Sequence, residues 1–147
     1  PKAILDIPLT LEVLETSGVP VIGYQCDEMP AFWSQGGSGA KVPLRLNTAE
    51  EIASLLSHKW QAGLEGGVLV ANPVPKADEI PASEVQVAVA SALEQAEIAG
   101  MRGKKVTPFL LDHIRKETDG RSLSTNKALV LNNARLAADI ANAYRMK

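Results

Sequence analysis

The first residue of this chain that could carry out covalent chemistry is a lysine close to its start. Lys2 precedes an apolar run, residues 3–5. An amine desolvated by apolar neighbours loses its charge and becomes a nucleophile towards a sugar carbon or a carbonyl. A lysine in solvent is the competing interpretation, because most lysines are exposed. Pro1 is a second candidate if it is a free N-terminus, since a secondary amine can act as base or nucleophile near neutral pH.

Two asparagines could hold a polar ligand. Asn126 falls inside helical sequence, and its amide carries both a donor and an acceptor, so it can bind a sugar or a base edge without changing charge. The alternative interpretation of Asn126 is a polar residue on the solvent face of a helix. Asn72 stands at a predicted strand end before Pro73, where a residue can hold the ligand-binding side chains in place without contacting the ligand itself.

The histidines and the cysteine do not form a recognisable metal or nucleophile motif. His58 and His113 lie on different predicted helices without a second ligand at His-x-x-x-His spacing, so both are expected on helix surfaces. Cys26 follows a strand with no adjacent histidine, which predicts a partly buried thiol. The acidic pairs are interpreted as solvated helix charges: Glu50 with Glu51, and Asp112 with Glu117.

The composition favours a small polar metabolite as the ligand. The 147 residues, 46% of them hydrophobic, are enough for one packed core. A net charge of -2 provides no broad basic field, which argues against nucleic acid and membrane surfaces as partners. No apolar run approaches the roughly 20 residues that cross a bilayer. The lone cysteine is typical of a reducing compartment, so we expect a cytoplasmic protein.

Hydrophobic periodicity and turn residues predict an α/β fold. The predicted helices cover 8–17, 47–62, 83–99, 107–118 and 122–144, and the predicted strands cover 19–24, 42–46 and 66–71. Capping pairs are expected at three helix starts: Asn47 with Glu50, Ser83 with Gln86, and Thr107 with Pro108. Three strands are few for a self-sufficient sheet. We therefore expect a layered α/β/α architecture with a central mixed sheet. Apolar patterning begins immediately at Pro1, so we expect that an N-terminal half precedes this chain and completes the sheet.

The segment from Met29 to Lys41 is predicted to be a loop with aromatic anchors, Phe32 and Trp33, and a mobile glycine-rich tip. Loops of this kind often border active sites. The tip, residues 35–41, lacks the glycine spacing and the Lys-Ser/Thr ending of a phosphate-binding P-loop. We therefore do not interpret it as a nucleotide-phosphate site.

Several segments resemble pseudouridine-5'-phosphate glycosidases, the indigoidine synthase A-like family, in the same order along essentially the whole chain. The matching segments are 2–8 (KAILDIP), 10–12 (TLE), 14–16 (LET), 18–24 (GVPVIGY), 30–32 (PAF), 66–73 (GGVLVANP), 107–111 (TPFLL), Ser122 and Leu123 with Asn126, and 131–134 (LNNA). Ordered matches of this kind are far more specific than one short pattern. Pro1 departs from the small residue expected before the lysine.

The resemblance implies a reversible cleavage of the C–C glycosidic bond of pseudouridine 5'-phosphate, giving uracil and ribose 5-phosphate. It places the catalytic lysine, which forms an imine with C1' of the ring-opened ribose, at Lys2, and a substrate-binding asparagine at Asn126. It also implies a divalent metal, manganese, and a homotrimer. The family's general acid, metal ligands and most phosphate-binding residues have no matching positions here, so we expect no metal ligand in this chain and place those residues upstream.

Residues 1–147 are therefore interpreted as the C-terminal part of a single glycosidase domain whose partners are a small-molecule substrate and the N-terminal half of the same protein. Two alternatives remain open. The chain could be a non-catalytic piece that only folds with its N-terminal partner. It could also belong to a related C- or N-glycosidase of the indigoidine pathway.

Overall fold

A small parallel sheet forms the centre of the fold. The computed structural model describes residues 6–146, and its three strands are β1 (Val21–Tyr24), β2 (Leu44–Leu46) and β3 (Leu69–Ala71), in the order β2-β1-β3. Both pairings of β1 are parallel, so the mixed pairing that we predicted is not found among the described strands. The predicted α/β class is confirmed.

Both faces of the central strand are buried. Val21 and Ile22 point to opposite faces because side chains alternate along a strand, and both are buried, at 5% and 0% exposure. The described residues form five α-helices in the predicted order: α1 (Ile7–Thr16), α2 (Ala49–Gln61), α3 (Ala82–Ile98), α4 (Val106–Glu117) and α5 (Arg121–Arg145). Short 3-10 turns at 76–78 and 103–105 precede α3 and α4. No helix in residues 6–146 is both long and apolar enough to span a membrane.

The strands end where the sequence predicts and begin later. The last residues of β1, β2 and β3 are the predicted positions 24, 46 and 71, while their first residues are 21, 44 and 69 rather than 19, 42 and 66. The C-terminal ends are marked by polar or proline-containing sequence, whereas the N-terminal ends depend on how far each strand finds a hydrogen-bonded neighbour. The two outer strands accordingly shorten to the length that pairs with β1.

Two of the predicted caps are wrong and one is displaced by a residue. The capping box of α2 uses Thr48 and Glu51: Thr48 Oγ1 accepts from Glu51 N at 3.2 Å, and Glu51 Oε2 accepts from Thr48 N at 3.1 Å. This pair replaces the predicted Asn47 and Glu50. Asn47 still donates its backbone N–H to Glu51 Oε2 at 2.7 Å. The two candidate pairs differ by one position. Because α2 begins at Ala49, the residue before it, Thr48, is the N-cap.

The other helix starts follow proline and 3-10 geometry instead of side-chain caps. Helix α3 begins directly after Pro81, two residues earlier than the predicted Ser83 cap requires. Helix α4 continues from the 3-10 turn at 103–105, so Thr107 is already helical and cannot cap it. The start of α1 carries a cap that sequence reasoning missed, because Asp6 Oδ1 accepts the N–H of Leu9 at 2.9 Å.

Two apolar clusters form the core of the described part of the chain, and the segment after β1 contributes to both. In the first, Trp33 packs with Ile80 and with side chains of α3 and α4. In the second, Met29 and Ala31 pack with residues of α1, β1 and β3. The segment 29–33 therefore packs against both the sheet and the α3 and α4 pair. It connects the two clusters at the carboxyl end of β1.

Candidate functional site

The loop from Met29 to Lys41 is firmly anchored where it leaves the sheet. Trp33 Nε1 donates to the backbone carbonyl of Ser122 at 3.0 Å, which attaches the loop to the start of α5. Ser34 is completely buried, and its hydroxyl donates to the carbonyl of Ile80 at 2.8 Å. Buried polar groups bonded in this way hold their segment in one position. The aromatic anchoring that the sequence predicted is found for Trp33.

The glycine-rich tip is bonded to a carboxylate. Glu28 Oε1 accepts from the backbone N–H groups of Gly37 at 2.8 Å and Gly39 at 2.7 Å, and from the hydroxyl of Ser38 at 3.3 Å. These bonds, first among them that of Gly39, lower the pKa of Glu28 below its ordinary value. The two backbone bonds hold the tip to this oxygen, and the single hydrogen of the Ser38 hydroxyl has a closer acceptor, the carbonyl of Met29 at 2.6 Å. The tip therefore differs from the mobile one that the sequence suggested, because the carboxylate that holds it lies nine to eleven residues away.

Several cavities in residues 6–146 border this loop, and one of them lies beside the start of α1. It has a volume of about 370 Å³ and is lined by Asp6, Ile7, Ser34 and Ser38, with the apolar face of α3 opposite. Lys2 lies four positions before Asp6, and both Lys2 and Pro1 fall outside the described residues. The assignment of Lys2 as nucleophile therefore stays a prediction.

Asn126 lines a second cavity, of about 440 Å³, together with Phe32, Trp33 and Arg115. Its side chain is half-buried and makes no hydrogen bond to another described residue, so its amide is available to a ligand. Arg115 is bonded to Asp112 at 2.8 Å. The position is not the open solvent face that was the alternative interpretation of Asn126, while its role in binding substrate stays a prediction.

A further cavity, the strand-end cavity, lies at the carboxyl end of the parallel strands. It has a volume of about 280 Å³ and is lined by residues that follow β1 (Tyr24, Gln25, Cys26), residues that follow β3 (Asn72, Pro73, Val74, Pro75), Gln35 of the loop and Asn132 of α5. Parallel strands bring their carboxyl ends to one edge of a sheet, and ligands of α/β proteins commonly bind there. The cavity is polar, and no described residue that lines it is acidic or basic.

Amide side chains define the walls of the strand-end cavity. Asn132 Nδ2 donates to the carbonyl of Pro73 at 3.0 Å, and Gln35 Nε2 donates to the carbonyl of Val74 at 3.0 Å. Each nitrogen faces a carbonyl, which can only accept, so each amide oxygen is left as the unbonded group among the described residues. Asn72 also lines the cavity, and its Nδ2 donates to Asn133 Oδ1 at 3.0 Å. A supporting role for Asn72 in a ligand site stays a prediction.

Cys26 is the partly buried thiol that the sequence predicts. Burial raises the pKa of the thiol above its ordinary value, and the nearest hydrogen-bond acceptor is the carbonyl of Ala71, 3.8 Å from Sγ. A raised pKa keeps the sulfur as a neutral S–H at neutral pH, which is a poor nucleophile. Cys26 is thus a wall residue of the strand-end cavity and not a reactive centre.

The two histidines differ in their surroundings. His58 is exposed on α2, as predicted, with Nδ1 2.7 Å from the carbonyl of Ser54. His113 is half-buried between α3 and α4, which corrects the prediction of a surface residue. Its Nε2 lies 3.2 Å from Ser91 Oγ and 3.1 Å from Glu117 Oε1. Because both partners meet the same ring nitrogen, the histidine cannot relay a proton between them as in a catalytic triad.

Within residues 6–146 no three histidine, cysteine or acidic side chains come together as a metal site. The described part of the chain therefore does not fit a divalent metal by itself. Sequence reasoning missed Gln35 and Asn132 as cavity residues. An asparagine inside helical sequence could have indicated Asn132 as a site residue. Asn126 and Asn133 share that feature, so it does not distinguish Asn132 from them.

Comparison with known proteins places this arrangement in a family. The family model described as "Indigoidine synthase A like protein" matches residues 1–143. A pseudouridine-5'-phosphate glycosidase of Methylobacterium nodulans is 60% identical over 98% of this chain and 42% of its own length. A protein of the same name from Geobacillus kaustophilus is 55% identical over 95% of this chain and 46% of its own length.

Solved structures agree with the sequence relatives. The crystal structure of an indigoidine synthase A-like protein from Thermotoga maritima has a TM-score of 0.81 and 37% identity, covering 99% of this chain and 47% of that one. The prealnumycin C-glycosynthase AlnA, solved in complex with ribulose 5-phosphate, has a TM-score of 0.88 and 33% identity, covering 97% and 47%. The chain spans about half the length of the curated relatives it matches. The family match over nearly the whole chain, with relatives of this identity and neighbours of this fold, shows that the chain belongs to the indigoidine synthase A-like family.

Proposed function

We propose that this chain is the C-terminal half of a pseudouridine-5'-phosphate glycosidase, which converts pseudouridine 5'-phosphate and water into uracil and ribose 5-phosphate. The observation that carries the proposal is the 60% identity to a relative of that name over 98% of the chain. The described cavities beside α1, around Asn126 and at the strand ends support a small polar ligand. A cytoplasmic location is part of the proposal.

The active unit in this proposal includes a second polypeptide region, equal to the remaining half of the relatives' length. Support comes from the relatives, of which the chain covers 42–47%. The described sheet has three strands, fewer than most stable sheets, and further strands would extend it. The competing view is a non-catalytic piece that only folds with its partner. Turnover by the isolated chain would eliminate that view, and turnover only by the complete protein would support a shared active site.

Lys2 is the proposed nucleophile. Lys2 Nζ bonds to C1' as the C1'–O4' bond of the ribose ring breaks, O4' takes up a proton and the amine loses one. The nitrogen lone pair then forms a C=N bond and expels uracil through C5, which takes up a proton. Water then adds to the iminium carbon and releases the lysine amine together with ribose 5-phosphate. The sum consumes one pseudouridine 5'-phosphate and one water. This sequence requires an unprotonated amine, and residues that shelter it from solvent lower its pKa.

Asn126 is proposed to orient the substrate through its free amide. The proposed manganese ion finds no ligand cluster among the described residues, so its ligands would come from the other half of the protein and no step is assigned to it here. Assembly as a homotrimer is also proposed. Sedimentation of the complete protein would test it, and a monomer at assay concentration would contradict it.

Reductive trapping tests the nucleophile directly. The complete protein is mixed with ribose 5-phosphate, the lysine amine condenses with the C1' aldehyde with loss of one water, and borohydride reduces the C=N bond to a stable amine. Peptide mass spectrometry should find the adduct on Lys2. The control variant Lys2→Arg should give no adduct. An adduct on any other lysine with Lys2 unmodified would overturn the assignment.

A second candidate function is favoured by the structural similarity to a C-glycosynthase at a TM-score of 0.88. A related enzyme of the indigoidine type would use the same scaffold on a different C- or N-glycoside. Comparing cleavage of pseudouridine 5'-phosphate with that of uridine 5'-phosphate separates the candidates. Cleavage of the former alone supports the glycosidase proposed here, whereas comparable cleavage of both supports a broader enzyme.

A further inference from the structure

The two edges of the described sheet differ in the character of their strands. Residues 68–71, which contain β3, are uninterruptedly apolar, whereas β2 follows Pro43 and carries Arg45 at its centre, bonded to Asp27 at 2.6 Å. Prolines and charges mark strands that stand at the edge of a sheet, while an unbroken apolar run is typical of a parallel strand inside one. The sequence of β3 is therefore that of an interior strand, although no described strand pairs with its outer side.

The backbone of Val70 lies open on that outer side. Leu69 N–H donates to the carbonyl of Pro20, directly before β1, at 2.9 Å. Backbone groups of successive strand residues point to opposite sides, so the N–H and C=O of Val70 point away from β1. Neither group bonds to another described residue. A strand laid beside β3 would find both groups free to pair.

An apolar groove of about 670 Å³, the β3 groove, adjoins the same strand and is lined in part by Val70. Leu136, Ile140 and Tyr144 recur every four residues on α5, so they form one stripe that faces the groove. Trp60 of α2 meets Tyr144 edge to face, with ring centroids 5.6 Å apart, and the two side chains are 44% and 40% exposed. Contiguous apolar surface of this kind marks a contact with another part of a protein.

The remaining half of the protein provides an occupant that meets both requirements. The chain covers 42–47% of the length of its relatives, so more than half of their length lies outside it. A strand with apolar residues at alternate positions would pair its backbone with β3 and place the side chains of one face in the β3 groove. A small apolar molecule would fill the groove but leave the backbone of Val70 unpaired.

We infer that the outer edge of β3 is an interaction surface, on which a strand from the other half of the complete protein pairs with Val70 and fills the β3 groove. The inference rests on the proposed function in one respect, that the complete protein contains this second region. The edge at β2 is assigned no such partner, in keeping with its proline and its charge.

Hydrogen exchange of the complete wild-type protein tests the edge. Leu69 N–H, which bonds towards β1, is the protected reference within β3. Arg45 is the open reference on β2, because Gln25 N–H donates to the carbonyl of Leu46 and the backbone groups of Arg45 therefore point away from β1. After correction for intrinsic rates, Val70 should exchange within about tenfold of Leu69, and Arg45 should exchange at least about tenfold faster than both.

Exchange of Val70 more than about tenfold faster than that of Leu69 would overturn the inference. Protection of Arg45 together with fast exchange of Val70 would place the other half on β2 and would overturn it as well.

A matched pair of substitutions tests the groove. Ala137 and Ala138 are neighbours on α5, both exposed in the described structure, and of the two Ala137 lines the β3 groove. Under a covering strand, Ala137→Glu buries an unpaired charge and should lower the Tm of the complete protein by about 5 °C or more, whereas Ala138→Glu should change it by about 1 °C or less. Equal Tm values would overturn the inference, because the groove position would then behave like its neighbour outside the groove.

Photo-crosslinking identifies the occupant. The amino acid p-benzoylphenylalanine, introduced at Trp60 in the complete protein, keeps a large aromatic group in the wall of the β3 groove. Irradiation should join it to a peptide outside residues 1–147 without changing the mass of the chain on a denaturing gel. A crosslinked product of twice that mass would show that a second copy covers the groove, which would overturn the assignment of the occupant.

The two proposals fail separately, because none of these measurements depends on turnover. A complete protein without glycosidase activity would refute the proposed function, and exchange at Val70 would still decide whether the edge is covered. Fast exchange at Val70 in a fully active protein would refute the covered edge and leave the glycosidase proposal standing.

Discussion

Gly37 is the position at which the structure predicts the sharpest response to a single methyl group. Its φ is 90°, and a Cβ added to it would lie 2.5 Å from Cβ of Ala82, the first residue of α3. Gly39 provides the matched control, because its φ is 70° and no heavy atom lies within 4 Å of its added Cβ. Both glycines donate their N–H to the same oxygen of Glu28, so both substitutions keep those bonds.

The expected magnitudes follow from these two geometries. Gly39→Ala should destabilise the protein by about 1–2 kcal/mol, the cost of placing a Cβ in a left-handed conformation. Gly37→Ala has that cost and must also displace Ala82 or the loop, which adds about 1–3 kcal/mol, as overpacking in a filled region usually does. Each kcal/mol lowers Tm by roughly 2–4 °C in a chain of about 150–250 residues, and by less in the longer complete protein, because the entropy of unfolding grows with chain length.

Thermal unfolding of the complete protein, followed by circular dichroism, measures the difference between the two variants. The double variant Gly37→Ala with Ala82→Gly should recover most of the excess loss, since it removes the opposing methyl group. Equal destabilisation by Gly37→Ala and Gly39→Ala, with no recovery in the double variant, would show that the loop does not pack against α3 as described.

Three further predictions concern charge, substrate binding and the thiol. The pKa of Asp112 is lowered from 3.8 to about 2, first by its bond to Lys116, so its contribution to stability is present above 3.8 and is lost as pH falls towards 2. Acid unfolding of Asp112→Asn should show less pH dependence in that window, and an unchanged profile would contradict the assignment. Asn126→Ala should lower kcat/KM about 10-fold or more with Tm unchanged, whereas Asn142→Ala should change neither; equal activity of both variants would argue against a role for Asn126. Alkylation of Cys26 should still be accelerating above the ordinary thiol pKa of 9.0, because burial raises the pKa of this thiol; a rate that levels off below pH 9.0 would contradict this.

Much of the fold could be predicted from local sequence. The three strands end at the predicted residues, and the five helices lie in the predicted order, because apolar periodicity and turn residues act within a few positions along the chain. The helix caps were less predictable. Asn47 and Thr48 are both good caps, each followed three residues later by a glutamate, and the packing of α2 decides which one begins the helix.

The sequence by itself determined the secondary structure, the class of the fold and the family, since these depend on patterns that are read along one dimension. The tertiary structure alone decided the strand-end cavity. Asn132 meets the carbonyl of Pro73 across 59 residues, and Gln35 meets that of Val74 across 39. No local preference relates such distant positions. Only the packing of α5 and the loop against the carboxyl end of the parallel sheet brings both side chains to the wall of one cavity.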